Sequence, residues 1–345
     1  MVFLDYLHRV ASHSALTSAE AEQALGLVLE GQASSPLLAA FLVALRMKGE
    51  TPAEVLGFAR AMRARSLRVD VSDLPQPVLD TCGTGGDASG SFNISTVAAL
   101  VVAGAGVRVA KHGNRSMASQ CGSADILEAL GVKIALTPDR MADCIREAGI
   151  GFLFAPALHP AMKHAQPVRA ELKMRTVLNL LGPLTNPAGA RYQLIGAPSE
   201  DAARLMASTL AELGTGRAFV VHGSDGMDEI TTTGSTLVLE VAHDRVAEHL
   251  WQPTDFGIPR ASLSDLAARA KDDNVRSARA VLAGEMGPCR DIVVVNAAAA
   301  LMAAGVAASP REGVLLAENS IDSGAAQERL QLLCHHSNSH PTPNS

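Results

Sequence analysis

The chain has 345 residues, of which 48% are hydrophobic, 3% aromatic and 19% charged, with 29 glycines and a formal net charge of -6. That much apolar content over that length supports a sizeable core in one large domain or two smaller ones, and the acidic balance excludes a broad basic field for nucleic acid while leaving room for a local phosphate pocket. Cys82, Cys121, Cys144, Cys289 and Cys334 are scattered without a CxxC pair, which speaks for a reducing compartment and against a zinc site.

The N-terminal stretch MVFLDYLHRVASHS carries Asp5 and Arg9 where a secretory leader needs an unbroken apolar run, and later apolar runs are too short or too interrupted to cross a bilayer. A cytoplasmic location is expected. Thr17–Glu20, TSAE, forms a capping box that opens a helix ending near Gly31; Ser35 and Pro36 open another that stops at Gly49; Thr51–Glu54, TPAE, opens a third. Residues 1–72 therefore read as a small all-helical domain.

From Val78 the texture changes to short β-rich runs, VLDT, VRVAKHG, GFLFAP, YQLIGAP and RAFVVHG, separated by helical stretches such as GSADILEALG and SEDAARLMASTLAELG. Strands alternating with helices imply a largely parallel sheet with helices on its faces, whose functional loops sit at the strand C-termini. The inserted segment 160–187, read from HPAMKHAQPVRAELKMRTVLNLLGPL, which begins at His159, interrupts the alternation and is apolar enough to pack back on the N-terminal helices, leaving a cleft. TLVLEVAHDRVAEHLW reads as a hairpin, two helices follow around Val275 and Asp291, and residues 336–345 read as a polar, disordered tail. The expected fold class is α/β: a small N-terminal all-helical domain, and a larger α/β domain over residues 73–335 with a mostly parallel central sheet flanked by helices.

Three loops carry candidate chemistry. In LDTCGTGGDASGSFNISTVAALVVAGAG, a strand breaks into Gly83, Gly85 and Gly86 and resumes as a helix behind Ser91, Asn93, Ser95 and Thr96. Free backbone N–H groups and hydroxyls converge there, the outline of an anion site, although a tight strand-to-helix turn has the same look. KHGNRSMASQCGSAD repeats the arrangement after the next strand, with Lys111 and Arg115 as phosphate partners and Ser116, Ser119 and Ser123 as compact donors. His112 in that loop reads as a loop-holding residue. In VVHGSDGMDEITTTG the adjacent Asp228 and Glu229 offer oxygen ligands for a hard cation such as Mg2+, or form a solvated acidic turn. VRAELKMRT supplies Arg169 and Arg175, either of which could grip a carboxylate from the inserted segment.

Taken together, DTCGTGGD, SFNIST, AKHGNRS, GSADILEALG, FAPALHPAM, VRAELKMRT, NLLGPLTNP, HGSDGMDE and DIVVVNAAAAL resemble the anthranilate phosphoribosyltransferase family, in the family's order and over nearly the whole chain. The resemblance implies a homodimeric glycosyltransferase of tryptophan biosynthesis that uses Mg2+ to move the 5-phosphoribosyl group of phosphoribosyl pyrophosphate (PRPP) onto the amine of anthranilate. On matching positions, PRPP is expected at Gly83, Gly86, Asp87 and Ser91, and at Asn93, Ile94, Ser95 and Thr96. The second loop adds Lys111, His112, Gly113, Asn114 and Arg115, then Ser116, Met117, Ala118, Ser119 and Ser123. Anthranilate is expected near Gly83, Asn114 and Arg169, and the metal at Ser95, Asp228 and Glu229. Lys173 and Leu178 stand where the family usually has glycine and phenylalanine, and LAARAKDDNVRS lacks a glycine pair common before that helix. No glutamine-amidotransferase segment precedes the helical domain, so this chain alone is not expected to make anthranilate.

In the implied displacement, charge gathers on the leaving pyrophosphate, where Mg2+, Lys111 and the loop N–H groups would meet it. The aryl amine is already a competent neutral nucleophile, so no residue is assigned as general acid or base. Pyrimidine-nucleoside phosphorylases share GTGGD and KHG loops but usually continue with lysine and a second glycine, where this chain has Ala88 and Asn114. A non-catalytic relative that binds nucleic acid would need a basic face, against the net charge of -6.

Overall fold

The computed structural model describes residues 2–74, 77–85, 90–115, 121–268 and 270–339. Four helices come first: α1 (Phe3–Ala11), α2 (Ser18–Leu29), α3 (Ser35–Lys48) and α4 (Pro52–Ala64). The capping boxes at Thr17/Glu20 and Thr51/Glu54 form, and Gly49 ends α3 with φ 85. Glu54 does more than cap. Its buried carboxylate also accepts from Leu16 N at 3.0 Å and from Lys48 Nζ at 2.9 Å, tying the entry of α2 to the end of α3.

The α/β part runs β1 (Val78–Gly83), α5 (Ile94–Gly104), β2 (Arg108–Gly113), α6 (Ser123–Ala129), α7 (Pro138–Ala148) and β3 (Ile150–Phe154). The inserted segment is a chain of short turns, α8 (Ala155–Leu158), α9 (Gln166–Leu172) and α10 (Leu181–Leu184), with 3-10 turns between them. It is broken because Lys173 ends α9 in the left-handed region, φ 45, and prolines recur at 160, 167 and 183. Then follow β4 (Tyr192–Gly196), α11 (Glu200–Glu212), β5 (Arg217–Gly223), β6 (Thr236–Ala242), β7 (Arg245–Trp251), α12 (Lys271–Leu282), α13 (Pro288–Ala303), α14 (Pro310–Asp322) and α15 (Ala325–Asn338).

The seven strands form one sheet in the order β3-β2-β1-β4-β5-β6-β7, parallel from β3 to β5 and antiparallel from β5 to β7. The chain winds outward from β1 in both directions, so the strand order reverses beside β1, where open α/β sheets form their ligand crevice. Gly83 pairs with Gly196, and Gly196 with Val221, which aligns the carboxyl ends of β1, β4 and β5. On one face the sheet buries Leu79, Leu194, Phe219 and Val221 against α5 and the apolar α13; on the other, Cys82, Ile195, Val220 and Leu239 join one core with α2–α4, α11, Val168 and Leu181.

At the start of the chain, α1 opens with Asp5 Oδ2 accepting from Val2 N at 2.9 Å and buries Phe3, Tyr6 and Val10. One difference from the sequence-based expectation, at the other end, has a physical cause. α15 runs on through Asn338, past the point at residue 336 where the tail was expected, because Arg140 NH2 donates to the carbonyls of His336 and Ser339, and Asn338 Nδ2 donates to Gly131 O. Residues 340–345 lie outside the described residues.

Candidate active site

The first loop begins where β1 runs out. Thr81, two residues from the strand end, donates its hydroxyl to Ser95 O at 3.1 Å, fastening the start of α5 to β1. Asn93, the residue before α5, is spent on architecture: its N–H donates to Asn274 Oδ1 (2.9 Å), its Nδ2 to Cys121 O (2.9 Å), and its Oδ1 accepts from Thr96 Oγ1 (2.7 Å). It therefore stitches the first loop to the second and to α12. Ile94 is buried in the core, and Ser91 bridges to Ala267.

Ser95 is the member of this group that meets the acidic loop. Its N–H, an unfilled donor in the first turn of α5, reaches Glu229 Oε1 at 3.1 Å, and its Oγ lies 3.4 Å from Lys111 Nζ. Lys111 is only 2% exposed and also donates to the Thr81 carbonyl. Burial pulls its pKa below the ordinary lysine value, while Asp80, Cys82, Glu229 and Asp228 oppose that shift. A buried amine held by Thr81 and Ser95 thus sits at the foot of the loop.

The acidic loop is laid across the ends of β1 and β4. Asp228 Oδ2 accepts from Gly85 N at 3.0 Å. A Cβ on Gly196 would lie 1.7 Å from Asp228 O, so the end of β4 must be glycine for the loop to pass, and one on Gly83 would lie 2.8 Å from Asp228 Oδ2 and push that carboxylate aside. Asp225, absent from the sequence-based site, shapes the approach by accepting from Met227 N (3.1 Å) and from the hydroxyls of Thr231 and Thr233. An aspartate followed by glycine and a threonine run is a turn signal that could have found it.

His112 is turned to another task. Its Nδ1 pairs with Gly182 O (3.0 Å), so Nδ1 carries the proton, and its Nε2 faces His159 Nε2 at 3.2 Å. Burial lowers the pKa of both rings, that of His159 to about 3 with help from His112. Beneath them Asp80 accepts from His112 N (3.0 Å) and Asn186 Nδ2 (2.8 Å), its pKa raised by burial. This network ties β1 and β2 to the inserted segment.

In the second loop, Gly113 ends β2, and Asn114 O accepts from Ser123 Oγ (3.1 Å) and Ala124 N (3.2 Å). The Arg115 guanidinium pairs with Asp125 and Glu128 at 2.8 and 2.6 Å. Gly86, Asp87, Ser116, Met117, Ala118 and Ser119 lie outside the described residues. Arg169, on α9, donates to Gln166 Oε1 at 3.3 Å within its own helix, and burial lowers its pKa. Arg175 reaches the first loop: its NH2 donates to Gly85 O, and its own carbonyl accepts from Arg46 NH1 at 2.7 Å. The structure thus gathers Gly83, Ser95, Lys111, Asp228 and Glu229 in one place and adds Arg175 at its border.

Ser95 Oγ and the two carboxylates present oxygen donors only, a set that fits Mg2+. Among the described residues no helix is long and apolar enough to cross a membrane.

Comparison with known proteins identifies the family. Residues 4–66 match the glycosyl transferase family, helical bundle domain, and residues 75–327 the glycosyl transferase family, a/b domain. Anthranilate phosphoribosyltransferase of Solibacter usitatus is 58% identical over 333 residues, 96% of this chain and 98% of the relative. The crystal structure of anthranilate phosphoribosyltransferase from Thermus thermophilus superposes with a TM-score of 0.91 at 42% identity, covering 97% of this chain and all of that one. The Saccharomyces cerevisiae enzyme, solved in complex with PRPP and Mg, gives 0.88 at 29% identity with 97% of each chain covered. The chain belongs to the glycosyl transferase family and, within it, to the anthranilate phosphoribosyltransferases.

Proposed function

We infer that the protein transfers the 5-phosphoribosyl group of PRPP to the amine of anthranilate, releasing N-(5-phosphoribosyl)anthranilate and pyrophosphate, as a glycosyltransferase of tryptophan biosynthesis. One observation carries the reading. The carboxylates of Asp228 and Glu229 lie on the N–H groups of Gly85 and Ser95, at the same Ser95 that Lys111 approaches. Phosphate donors, a cation and metal-type oxygens are thereby combined at a strand-end crevice, which suits a pyrophosphate ester.

Ser95, Asp228 and Glu229 would hold Mg2+, which when bound neutralises charge on the departing pyrophosphate. Lys111 would add a positive charge, and Gly83, Gly86, Asp87 and Ser91 would line the donor side, with Asn93, Ile94 and Thr96, whose side chains are tied into the framework, shaping it from behind. The second loop, Lys111 to Ser119 with Ser123, takes the rest of PRPP. Arg169 fixes the anthranilate carboxylate, with Asn114 and Gly83 beside it, so that the amine faces ribose C1 and positioning replaces a general base. We divide the chain into residues 1–72 with the insertion 160–187, and residues 73–335; a homodimer in the cytoplasm accords with the family.

The test is simple. Purified protein should consume anthranilate fluorescence only when PRPP and Mg2+ are both present, releasing one pyrophosphate per anthranilate. Phosphate-dependent cleavage of thymidine or uridine with anthranilate untouched would overturn the reading in favour of a nucleoside phosphorylase.

A further inference from the structure

α13 is almost wholly apolar from Ile292 to Ala303, yet it holds one amide, Asn296, with no exposure. A buried carboxamide is costly unless its donors and acceptor are used. Here two of the three bonds are aimed at one residue. Asn296 Nδ2 donates to Ile230 O at 2.9 Å and Asn296 Oδ1 accepts from Ile230 N at 2.9 Å, while the second Nδ2 proton goes to Ile292 O, one turn back on α13. Ile230 directly follows Glu229, lies outside regular structure and is 2% exposed.

We propose that Asn296 is a positioning residue for Glu229, setting from below the distance between the acidic pair and the start of α5. The inference rests on the reading of Asp228 and Glu229 as metal ligands. A two-point clamp holds the peptide on each side of Ile230, the first of which it shares with Glu229, where a single hydrogen bond would leave the residue free to swing. The helix that clamps Ile230, α13, packs along α5, and α5 is the helix whose Ser95 N–H donates to Glu229 Oε1. Glu229 therefore spans between two parts of one rigid pair of helices. On the other flank, Asp225 holds Met227 N and two threonine hydroxyls, so the acidic pair is braced from both sides. Residues that orient metal ligands from behind commonly affect affinity by about 10- to 100-fold.

The experiment measures Mn2+ binding, by electron spin resonance in the presence of inorganic pyrophosphate, on wild type, Asn296→Ala, Asn296→Leu, Asp228→Asn and the control Val295→Ala. Val295 is a fully buried neighbour on α13 without a polar tie. Thermal melts on each variant report folding. Both Asn296 variants should bind Mn2+ about 10-fold more weakly or worse, and should raise the apparent KM for PRPP and Mg2+ but not for anthranilate. Val295→Ala should lose melting temperature without weakening Mn2+. Folded Asn296 variants that titrate like wild type would overturn the proposal, as would failure of both to fold while Val295→Ala folds, since that assigns Asn296 to folding alone. If wild type bound Mn2+ no better than Asp228→Asn, the metal reading itself would fall, an outcome distinct from either.

Discussion

The N–H of Gly85 donates to Asp228 Oδ2 at 3.0 Å, so a carboxylate of the acidic loop occupies a donor that the glycine loop would offer to a phosphate. Glu229 does the same to Ser95 N. On the proposed reading of the site, the acids would compete with a phosphate ligand for these N–H groups. Asp228→Asn combined with Glu229→Gln should weaken Mg2+-dependent turnover by at least about 10-fold, yet in metal-free buffer bind pyrophosphate more tightly than wild type by calorimetry. Weaker metal-free binding would show that the carboxylates do not shield those N–H groups.

The two arginines of the inserted segment should separate by substrate. Arg169→Ala should raise the anthranilate KM by a factor corresponding to about 1.5 to 3 kcal/mol, the worth of a hydrogen bond to a charged group, and leave the PRPP KM nearly unchanged. Arg169→Lys should recover part of the loss, because a point charge orients less than a planar fork. Arg175→Ala should do the reverse, since its described contact is with Gly85 O on the donor loop. Steady-state kinetics on the three variants decides the matter, and equal damage to both substrates would reduce either arginine to a structural tie.

Glu54 should matter for stability and not for kinetics. Its carboxylate is fully buried with Lys48 Nζ and the N–H groups of Leu16 and Thr51. Glu54→Ala leaves that ammonium buried and those donors unpaired, and should cost about 3 to 5 kcal/mol in denaturant unfolding. Both KM values of the folded variant should remain those of wild type. A loss below about 1 kcal/mol, what an exposed pair contributes, would show that water reaches the site.

Acid should unfold the protein through His159. Its pKa, pushed to about 3 by burial, lies below that of an exposed histidine. The unfolded chain therefore binds the extra proton between about pH 6.5 and 3, and stability that is present above about pH 6.5 is lost as pH falls toward 3. From about pH 7 to about pH 5 this one ring accounts for about 2 kcal/mol. His159→Asn should flatten the slope of unfolding free energy against pH in that window; an unchanged slope would place the responsible proton elsewhere.

Much of this was legible in the chain because the signals are local. Thr17 with Glu20 and Thr51 with Glu54 announce α2 and α4 within four residues, and the adjacency of Asp228 and Glu229 announces an acidic site. What escaped depends on partners far away. The direction of the His112 ring is set by Gly182 and His159, and periodicity cannot rank Arg169 against Arg175, because the latter follows a bend after α9 and meets a loop 90 residues earlier. The β6–β7 hairpin was readable from its alternation although His243 and Asp244, at φ 50 and 61, replace the usual glycine-bearing turn.

Lys173 ends α9 at φ 45, between Arg169 and Arg175. For a residue with a Cβ that conformation costs roughly 1 to 2 kcal/mol, which glycine would not incur. A designer seeking a hardier protein would choose Lys173→Gly, and the melting temperature would be a misleading guide. Glycine would also multiply the bends open to the segment and loosen the spacing of two side chains that, on the proposed function, serve different substrates. On that reading, thermal robustness and the register between donor and acceptor are opposed at a single peptide.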